Sequence, residues 1–146
     1  MKRILIAPLV LMLLVSMVLG LLACSAPDSL LEDTKWFLSS YGEPGDLQPI
    51  IEGTEITATF DSAKGELSGS AGCNTYFASY EANNGALSIS EMAHTEMACL
   101  SPEGVMEQEQ EYLTFLSGAQ SFTADETTLT ITCPDGQQLY FTTESR

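Results

Sequence analysis

The chain has 146 residues, of which twenty are acidic and five are basic, so its formal net charge is −15 at neutral pH. A surface this acidic argues against nucleic-acid binding, because phosphate contacts require a basic surface. It also argues against a polybasic membrane-binding patch. The length suits one domain built around one hydrophobic core.

The N-terminus has the composition of a secretory signal. Residues 1–3 are basic at positions 2 and 3, residues 4–20 are almost entirely apolar, and Leu21-Leu22-Ala23-Cys24 follows. The last four residues resemble the bacterial lipobox, which is cleaved before the cysteine after a lipid has been attached to its thiol. The alternative is an uncleaved single-span anchor, because the apolar run approaches the length of a span. We expect residues 1–23 to be a signal peptide and Cys24 to be lipidated.

The mature chain would then comprise residues 24–146, with a short tether at 24–29 and a domain at 30–146. Removal of Lys2 and Arg3 changes the formal charge from −15 to −17. The lipid would attach the chain to the extracytoplasmic face of the cell membrane. In a host with two membranes, Ser25 after the lipidated cysteine resembles an outer-membrane sorting signal.

Short runs with a period of two dominate the rest of the chain, which predicts β-strands. The predicted strands are residues 34–41, 55–60, 66–70, 76–81, 86–90, 128–132 and 139–142, with a possible eighth at 121–123. Turn signals separate them, including Asn83-Asn84-Gly85, where positive φ is easily adopted. Seven or eight short strands at this spacing indicate an antiparallel sandwich or barrel.

The hydrophobic period changes to that of a helix once, which predicts a helix over residues 102–117. Ser101 is the predicted N-cap, Pro102 the first helical residue and Gly118 the C-terminal cap. The residues at helical spacing are Val105, Glu109, Tyr112, Leu113 and Leu116. We expect Tyr112, Leu113 and Leu116 to pack onto the sheet.

Three cysteines remain after Cys24, namely Cys73, Cys99 and Cys133. An exported chain retains disulfides, and three thiols allow one bridge and one free cysteine. A zinc site built from these thiols and the single histidine, His94, is the competing interpretation. Neither a C-x-x-C nor an H-x-x-H spacing supports it, so we predict no metal and no other cofactor.

Residues 65–76 combine three glycines with a cysteine, an asparagine and an aromatic residue. Gly69 and Gly72 lie beside the small residues Ser70 and Ala71. Glycine permits positive φ or the close approach of another backbone segment. The pattern therefore predicts a β-bulge or a strand end with tightly packed neighbours.

In this order of elements, the chain resembles the META domain family, which includes the HslJ-like heat-inducible lipoproteins. The resemblance extends over nearly all of residues 30–143. The residues that carry it are Gly69, Gly72, Cys73, Asn74, Tyr76, Thr95, Met97, Cys99 and Glu109, together with the first strand containing Trp36 and the final hairpin.

The resemblance implies an α+β, mainly β fold: a small antiparallel β-barrel or strongly curved sheet of seven to eight strands with one packed helix. It also implies similarity to secretin pilotin lipoproteins and a link to envelope stress and antibiotic tolerance, without an accepted enzymatic activity. Cys133 does not belong to the family pattern.

The disulfide prediction rests on this resemblance and on the predicted hairpin. Cys73 and Cys99 lie in the two stretches that carry the family pattern, and the intervening residues fold back through Asn83-Asn84-Gly85. We therefore expect a Cys73–Cys99 bridge and a free Cys133. The competing possibilities are a Cys99–Cys133 bridge and a dimer linked through Cys133.

Two functional hypotheses follow. The first is a non-catalytic envelope lipoprotein that binds an envelope protein or a small apolar ligand. The second is an extracytoplasmic enzyme or enzyme inhibitor with a cleft near His94, which would require a carboxylate and a hydroxyl within reach of the imidazole. Because acidic and polar neighbours surround His94 in the sequence, we expect it to be a solvated loop histidine, and we predict no enzymatic activity.

Overall fold

A computed structural model describes residues 28–144, and the predicted signal peptide, Cys24 and most of the tether lie outside this range. The described part contains nine strands, two α-helices and one 3₁₀ turn. In chain order they are α1 (Asp28–Leu31), β1 (Lys35–Glu43), β2 (Asp46–Pro49), β3 (Thr57–Asp61), β4 (Glu66–Ser70), β5 (Thr75–Asn83), β6 (Ala86–His94), α2 (Val105–Ser117), β7 (Ser121–Ala124), β8 (Thr128–Thr132), the 3₁₀ turn (Pro134–Gly136) and β9 (Gln138–Thr142).

All nine strands form one antiparallel sheet in the order β2-β1-β3-β4-β5-β6-β7-β8-β9, and an additional β1–β9 pairing closes it into a ring. At the β1–β9 seam, five residue pairs join the strands, from Phe37↔Thr142 to Gly42↔Gln138. At the β6–β7 seam, the ladder has the single pair Ala86↔Ser121. Beyond that pair β6 continues to His94 alongside α2.

The interior of the ring is filled by the alternate inward residues of the strands and by one face of α2. Among the described residues, the largest fully buried side chains include Trp36, Phe60, Tyr76, Tyr112 and Phe141. The ring of Tyr112 contacts those of Tyr76 and Phe141 edge to face, with centroids 5.7 and 6.5 Å apart. Helix α2 thus contributes to the same core as the strands.

The predicted fold class is confirmed, with two corrections. Strand β2 was missed: its residues do not alternate in polarity and are mostly exposed, and it forms by pairing with the second half of β1. Pro49 can end such a short strand because an edge strand leaves N–H positions unpaired. Neither α2 nor α1 is long and apolar enough to span a membrane, within residues 28–144.

The second correction concerns the start of the long helix. It begins at Val105 and its N-cap is Gly104, which has φ of 84°. The Val105 N–H donates to the Pro102 carbonyl, so residues 102–105 form a turn and Pro102 lies outside the helix. The predicted N-cap at Ser101 is therefore wrong, whereas the predicted cap at Gly118 is present, with its N–H bonded to Leu116 and Phe115.

Candidate functional site

A disulfide joins the β4–β5 loop to the segment between β6 and α2, which we call the strap (residues 95–104). The bridge links Cys73 to Cys99 across a Cα–Cα distance of 5.9 Å, well within the range that a disulfide can span. The predicted pairing is confirmed, and the competing Cys99–Cys133 bridge is wrong.

Cys133 is a free cysteine, and only 1% of its surface is exposed. Burial raises the pKa of its thiol to about 11, because a thiolate is poorly solvated away from water. A buried, protonated thiol is a poor nucleophile, so the position of Cys133 opposes a dimer linked through it.

Asn74 connects the β4–β5 loop to the strap through every polar atom of its side chain. Its Oδ1 accepts hydrogen bonds from the Thr95 hydroxyl at 2.7 Å and the Met97 N–H at 2.8 Å. Its Nδ2 donates to the Met97 carbonyl at 3.1 Å and to Glu109 Oε1 at 2.6 Å. The amide is 2% exposed, so this buried group has a full set of partners.

Glu109 extends the same network from the strap to helix α2. Its Oε2 accepts hydrogen bonds from the backbone N–H groups of Cys73 at 3.1 Å and Asn74 at 2.6 Å. The residue is 4% exposed, and the charge-assisted bonds compensate for the loss of water. Glu109, Asn74, Thr95 and the Met97 backbone form what we call the polar cluster.

Gln108, the neighbour of Glu109, fixes the helix to a second loop. Its Oε1 accepts a hydrogen bond from the Ile51 N–H at 2.7 Å, and its Nε2 donates to the Thr54 hydroxyl at 3.1 Å. The N-terminal half of α2 is therefore held by two buried polar side chains, one bonded to the β2–β3 loop and the other to the β4–β5 loop.

The two glycines of the family pattern allow close approaches. A Cβ at Gly69 would overlap the Thr57 carbonyl oxygen, which accepts a hydrogen bond from the Tyr76 hydroxyl at 2.9 Å. Gly72 has φ of 113°, and a Cβ there would contact Val105 and Gln108 of α2. Gly69 is therefore required by close backbone packing, whereas Gly72 is required by its positive φ, since a Cβ there would make only ordinary contacts.

Tyr76 and Tyr112 form a buried hydroxyl pair, with their oxygens 2.7 Å apart. Because Tyr76 donates to Thr57, Tyr112 donates to Tyr76. Burial raises the pKa of both phenols, so they remain protonated at neutral pH. The pair fixes the core face of α2 to β5 and carries no charge.

An open groove lies between β6 and α2. Its volume is about 650 Å³. The residues that line it are Met92, His94, Met106, Glu107, Glu109, Gln110, Leu113, Thr114 and Ser117.

His94 is exposed but does not lie in a loop, since it is the last residue of β6. Its Nδ1 lies 2.8 Å from the Thr95 carbonyl oxygen. Glu109 shares the groove with it, but the described hydrogen bonds already use both oxygens of that carboxylate. His94 and Glu109 therefore line one groove, but the carboxylate is already bonded within the fold.

The sequence signals did not reveal the role of several residues here. Glu109 was expected at helical spacing and as part of the family pattern, but its bond to Asn74 joins positions 35 residues apart. No sequence pattern indicated a role for Gln108 or for the Thr57 carbonyl. Met97 contributes only its backbone to the polar cluster, and its side chain is 56% exposed.

Within residues 28–144, no three His, Cys, Asp or Glu side chains lie close enough together to hold a metal ion. The thiols of Cys73 and Cys99 are joined to each other, so neither is available as a thiolate ligand.

A closed antiparallel ring with one helix packed into it, and with a buried polar cluster between the helix, a loop and a strap, defines a class of small mainly-β domains. The META domain model matches residues 29–146, and the chain belongs to that family.

Solved structures share the fold. A protein from Burkholderia xenovorans, solved by NMR, superposes with a TM-score of 0.69 at 28% identity. The alignment covers 83% of this chain and 88% of that protein. A second NMR structure gives 0.60 at 23% identity, covering 80% and 93%. A DUF4847 family protein from Bacteroides vulgatus gives 0.59 at 15% identity, covering 82% and 98%. No curated protein matches the chain.

Proposed function

We propose that the chain is a lipoprotein attached through Cys24 to the extracytoplasmic face of a cell membrane, where its META domain binds or supports another envelope component without catalysing a reaction. In a host with two membranes, the lipid anchor lies in the outer membrane. We further propose that this role contributes to stress or antibiotic tolerance.

One observation carries the non-catalytic part of the proposal: the cysteines and the polar cluster are either bonded within the fold or buried. Cys73 and Cys99 are bonded to each other, and the Cys133 thiol is buried with a raised pKa. The polar atoms of Asn74 and Glu109 are used within the polar cluster. A nucleophile or general base needs a free lone pair directed at a substrate.

The contacts of Asp28 with the β5–β6 hairpin support the proposal that the lipid anchor holds the domain close to the membrane. The Asp28 carboxylate accepts hydrogen bonds from the backbone N–H groups of Asn84 and Gly85. Three residues lie between Cys24 and Asp28, and the four residue steps from one to the other span at most about 14 Å in an extended chain. A lipid on Cys24 would therefore keep the β5–β6 hairpin near the bilayer surface.

The groove between β6 and α2 is the surface proposed for binding. Buried aromatic and aliphatic side chains occupy the ring interior, whereas the groove is open and combines apolar and polar lining residues. An envelope protein or a small apolar ligand is therefore expected at the groove rather than inside the ring.

Intact-mass measurement of the membrane-extracted protein tests the anchor. The expected product begins at Cys24 and carries the mass of its acyl chains, and the Cys24→Ala variant retains residues 1–23 and remains unacylated. An unmodified wild-type chain that still begins at Met1 would refute the lipoprotein proposal.

A further inference from the structure

The groove contains a set of soft ligands that the sequence patterns did not indicate. We propose that Met92, His94 and Met106 bind one Cu(I) ion at the strap end of the groove between β6 and α2. The ligands are two thioether sulfurs and one imidazole nitrogen. This inference goes beyond the proposed function and rests on neither the lipid anchor nor an envelope partner.

The first observation is that all three side chains line the same groove. Met92 and His94 are two positions apart on β6, so they project from one face of the strand. Met106 lies in the first turn of α2, and Cα atoms of β6 and α2 approach to within 8 Å. Because methionine is unbranched and rotates about three side-chain bonds, both sulfurs can reach a common point beside the imidazole.

The second observation concerns the ring nitrogen that His94 offers to an ion. Its Nδ1 lies 2.8 Å from the Thr95 carbonyl oxygen, which is an acceptor. The neutral ring therefore carries its hydrogen on Nδ1 and its lone pair on Nε2. Metal-binding histidines usually have such a partner on the other ring nitrogen, which fixes the orientation of the imidazole. His94 is exposed, so an ion can reach Nε2 from solvent.

The third observation is that one contact already places the Met106 sulfur. The Cys99 N–H donates to this sulfur at 3.4 Å, and the disulfide to Cys73 fixes Cys99 to the β4–β5 loop. A thioether sulfur has two lone pairs, so this weak bond leaves one lone pair for a metal ion. Met92 and Met106 are both half-buried, which limits the number of positions that their sulfurs sample.

The polar cluster holds the backbone positions from which two of the ligands project. Asn74 accepts a hydrogen bond from Thr95, the neighbour of His94, at 2.7 Å. The same side chain donates to Glu109 at 2.6 Å, and Glu109 lies one helical turn after Met106. One buried amide therefore fixes the strand end and the helix turn relative to each other, and ligands positioned in this way need little rearrangement to bind.

The donor set selects a soft ion. Thioethers favour Cu(I), and imidazole also suits copper, whereas Mg²⁺ and Ca²⁺ require oxygen ligands. The Glu109 carboxylate is already bonded within the fold. The zinc site considered from the sequence used thiolates, which the disulfide removes. Residues 28–144 carry twenty acidic side chains and two lysines, and the resulting field attracts cations rather than anions.

The test titrates Ag(I), as silver nitrate in chloride-free buffer, into the protein purified in neutral detergent micelles. Ag(I) matches Cu(I) in charge and softness and needs no reductant. NMR of isotope-labelled methionine methyl groups and of the ring of the single histidine reports binding residue by residue. We expect the signals of Met92, Met106 and His94 to shift together and to saturate at one equivalent, while the signal of Met97 stays in place.

Three variants remove the ligands one at a time. Met92→Leu and Met106→Leu conserve side-chain volume, and His94→Gln changes an exposed residue, so it remains informative should a methionine variant lose its fold. Each should weaken Ag(I) binding at least about tenfold, because even a partner outside the ligand shell contributes that much. Met97→Leu is the matched control: it removes an exposed thioether that does not line the groove, and the affinity should not change.

Cys133→Ala separates the thioether site from a thiol. Cys133 is the free cysteine of residues 28–144, and a thiolate is itself a ligand for soft ions. The variant should retain the shifts of Met92, Met106 and His94, and their loss would locate the ion at the thiol and overturn the proposal. If this variant does not fold, the labelled Cys133 side chain of the wild-type protein gives the same answer, because its signal should not move during the first equivalent.

The remaining outcomes are equally decisive. Shifts of all three methionine signals without saturation would show unspecific thioether binding and overturn the proposal. A response of His94 alone, or displacement of Ag(I) by excess Zn(II), would indicate a site of harder ligands and refute the thioether site. Cu(I) kept under nitrogen should reproduce the Ag(I) shifts, and a failure to do so would refute copper as the ligand. None of these results bears on the lipid anchor, which the intact-mass measurement tests separately.

Discussion

The two seams of the ring are held by different means. At the β1–β9 seam a five-pair backbone ladder joins the strands, with an irregularity near Ser39. At the β6–β7 seam one residue pair remains, and helix α2 packs beside the rest of β6. Backbone hydrogen bonds hold the first seam, whereas side chains from a helix, a loop and the strap stabilise the second.

This difference predicts unequal sensitivity to mutation. A backbone ladder survives the truncation of one side chain, because its hydrogen bonds do not depend on the side-chain type. Beside the β6–β7 seam lies helix α2, which is held by particular buried side chains: Tyr112 contacts β5 and β9, and Glu109 bonds to the β4–β5 loop. Matched substitutions at the two seams should therefore have very different costs.

The largest effect is expected for Tyr112→Ala. The ring is fully buried and contacts both Tyr76 and Phe141, so its removal should lower the free energy of unfolding by about 3–5 kcal/mol. Tyr140→Ala is the same substitution at the β1–β9 seam. Tyr140 is half-buried and lies on β9, between β1 and β8. This substitution should cost about 1 kcal/mol.

Equilibrium urea unfolding measures both changes. Tyr112→Phe is the milder variant should the alanine protein fail to fold, and loss of one buried hydroxyl bond should cost about 1 kcal/mol. Equal costs for Tyr112→Ala and Tyr140→Ala would show that the core face of the helix contributes no more to stability than a half-buried position of β9.

A somewhat smaller effect is expected for Glu109→Ala. It removes one of the two acceptors of the Asn74 Nδ2 group and the acceptor of two backbone N–H groups, and we expect a cost of about 3 kcal/mol. Glu107→Ala, an exposed position on the same helix, should change stability by less than about 0.5 kcal/mol.

Amide hydrogen exchange sharpens this second test. In Glu109→Ala the strap and the β4–β5 loop should lose protection, while β9 and the adjoining part of β1 retain theirs. A uniform loss across the whole ring would mean that the two seams unfold as one unit and do not differ locally.

The smallest expected effect is on the acid dependence of stability, and it comes from Asp125 in the β7–β8 turn, away from both seams. Asp125 accepts bonds from the backbone N–H groups and hydroxyls of Thr127 and Thr128, which lower its pKa to about 2. Because the folded-state pKa lies below the unfolded value, the stabilisation is complete above about pH 4 and disappears as the pH falls towards 2.

NMR titration of the Asp125 carboxyl checks this directly, and Asp125→Asn should remove its contribution to the acid dependence of stability. A titration midpoint near the ordinary value of aspartate would show that the turn bonds do not favour the ionised form. A loss of structure at the polar cluster over the same pH range would contradict the assignment to the β7–β8 turn.

The sequence predicted those features that depend on local patterns. Strands with strict alternation, such as β3, and the core residues of α2 were found because burial imposes their period. Strand β2 has no such alternation, and the start of α2 depends on the positive φ of Gly104. Both features are decided by pairing and packing rather than by the local sequence.

The candidate site was harder to predict from the sequence for the same reason. The family pattern identified Asn74 and Glu109 without indicating that they bond to each other, since this contact forms only when the helix packs against a loop 35 residues away. The groove depends on the distance between β6 and α2, which is set by many side chains together. No single motif encodes it.

Burial of Cys133 has a consequence for biosynthesis in an oxidising compartment. If the chain is exported as proposed, the buried and protonated Cys133 thiol is a poor attacking group for disulfide exchange with the Cys73–Cys99 bridge. Its sequestration would then favour one disulfide among the three cysteines of residues 28–144.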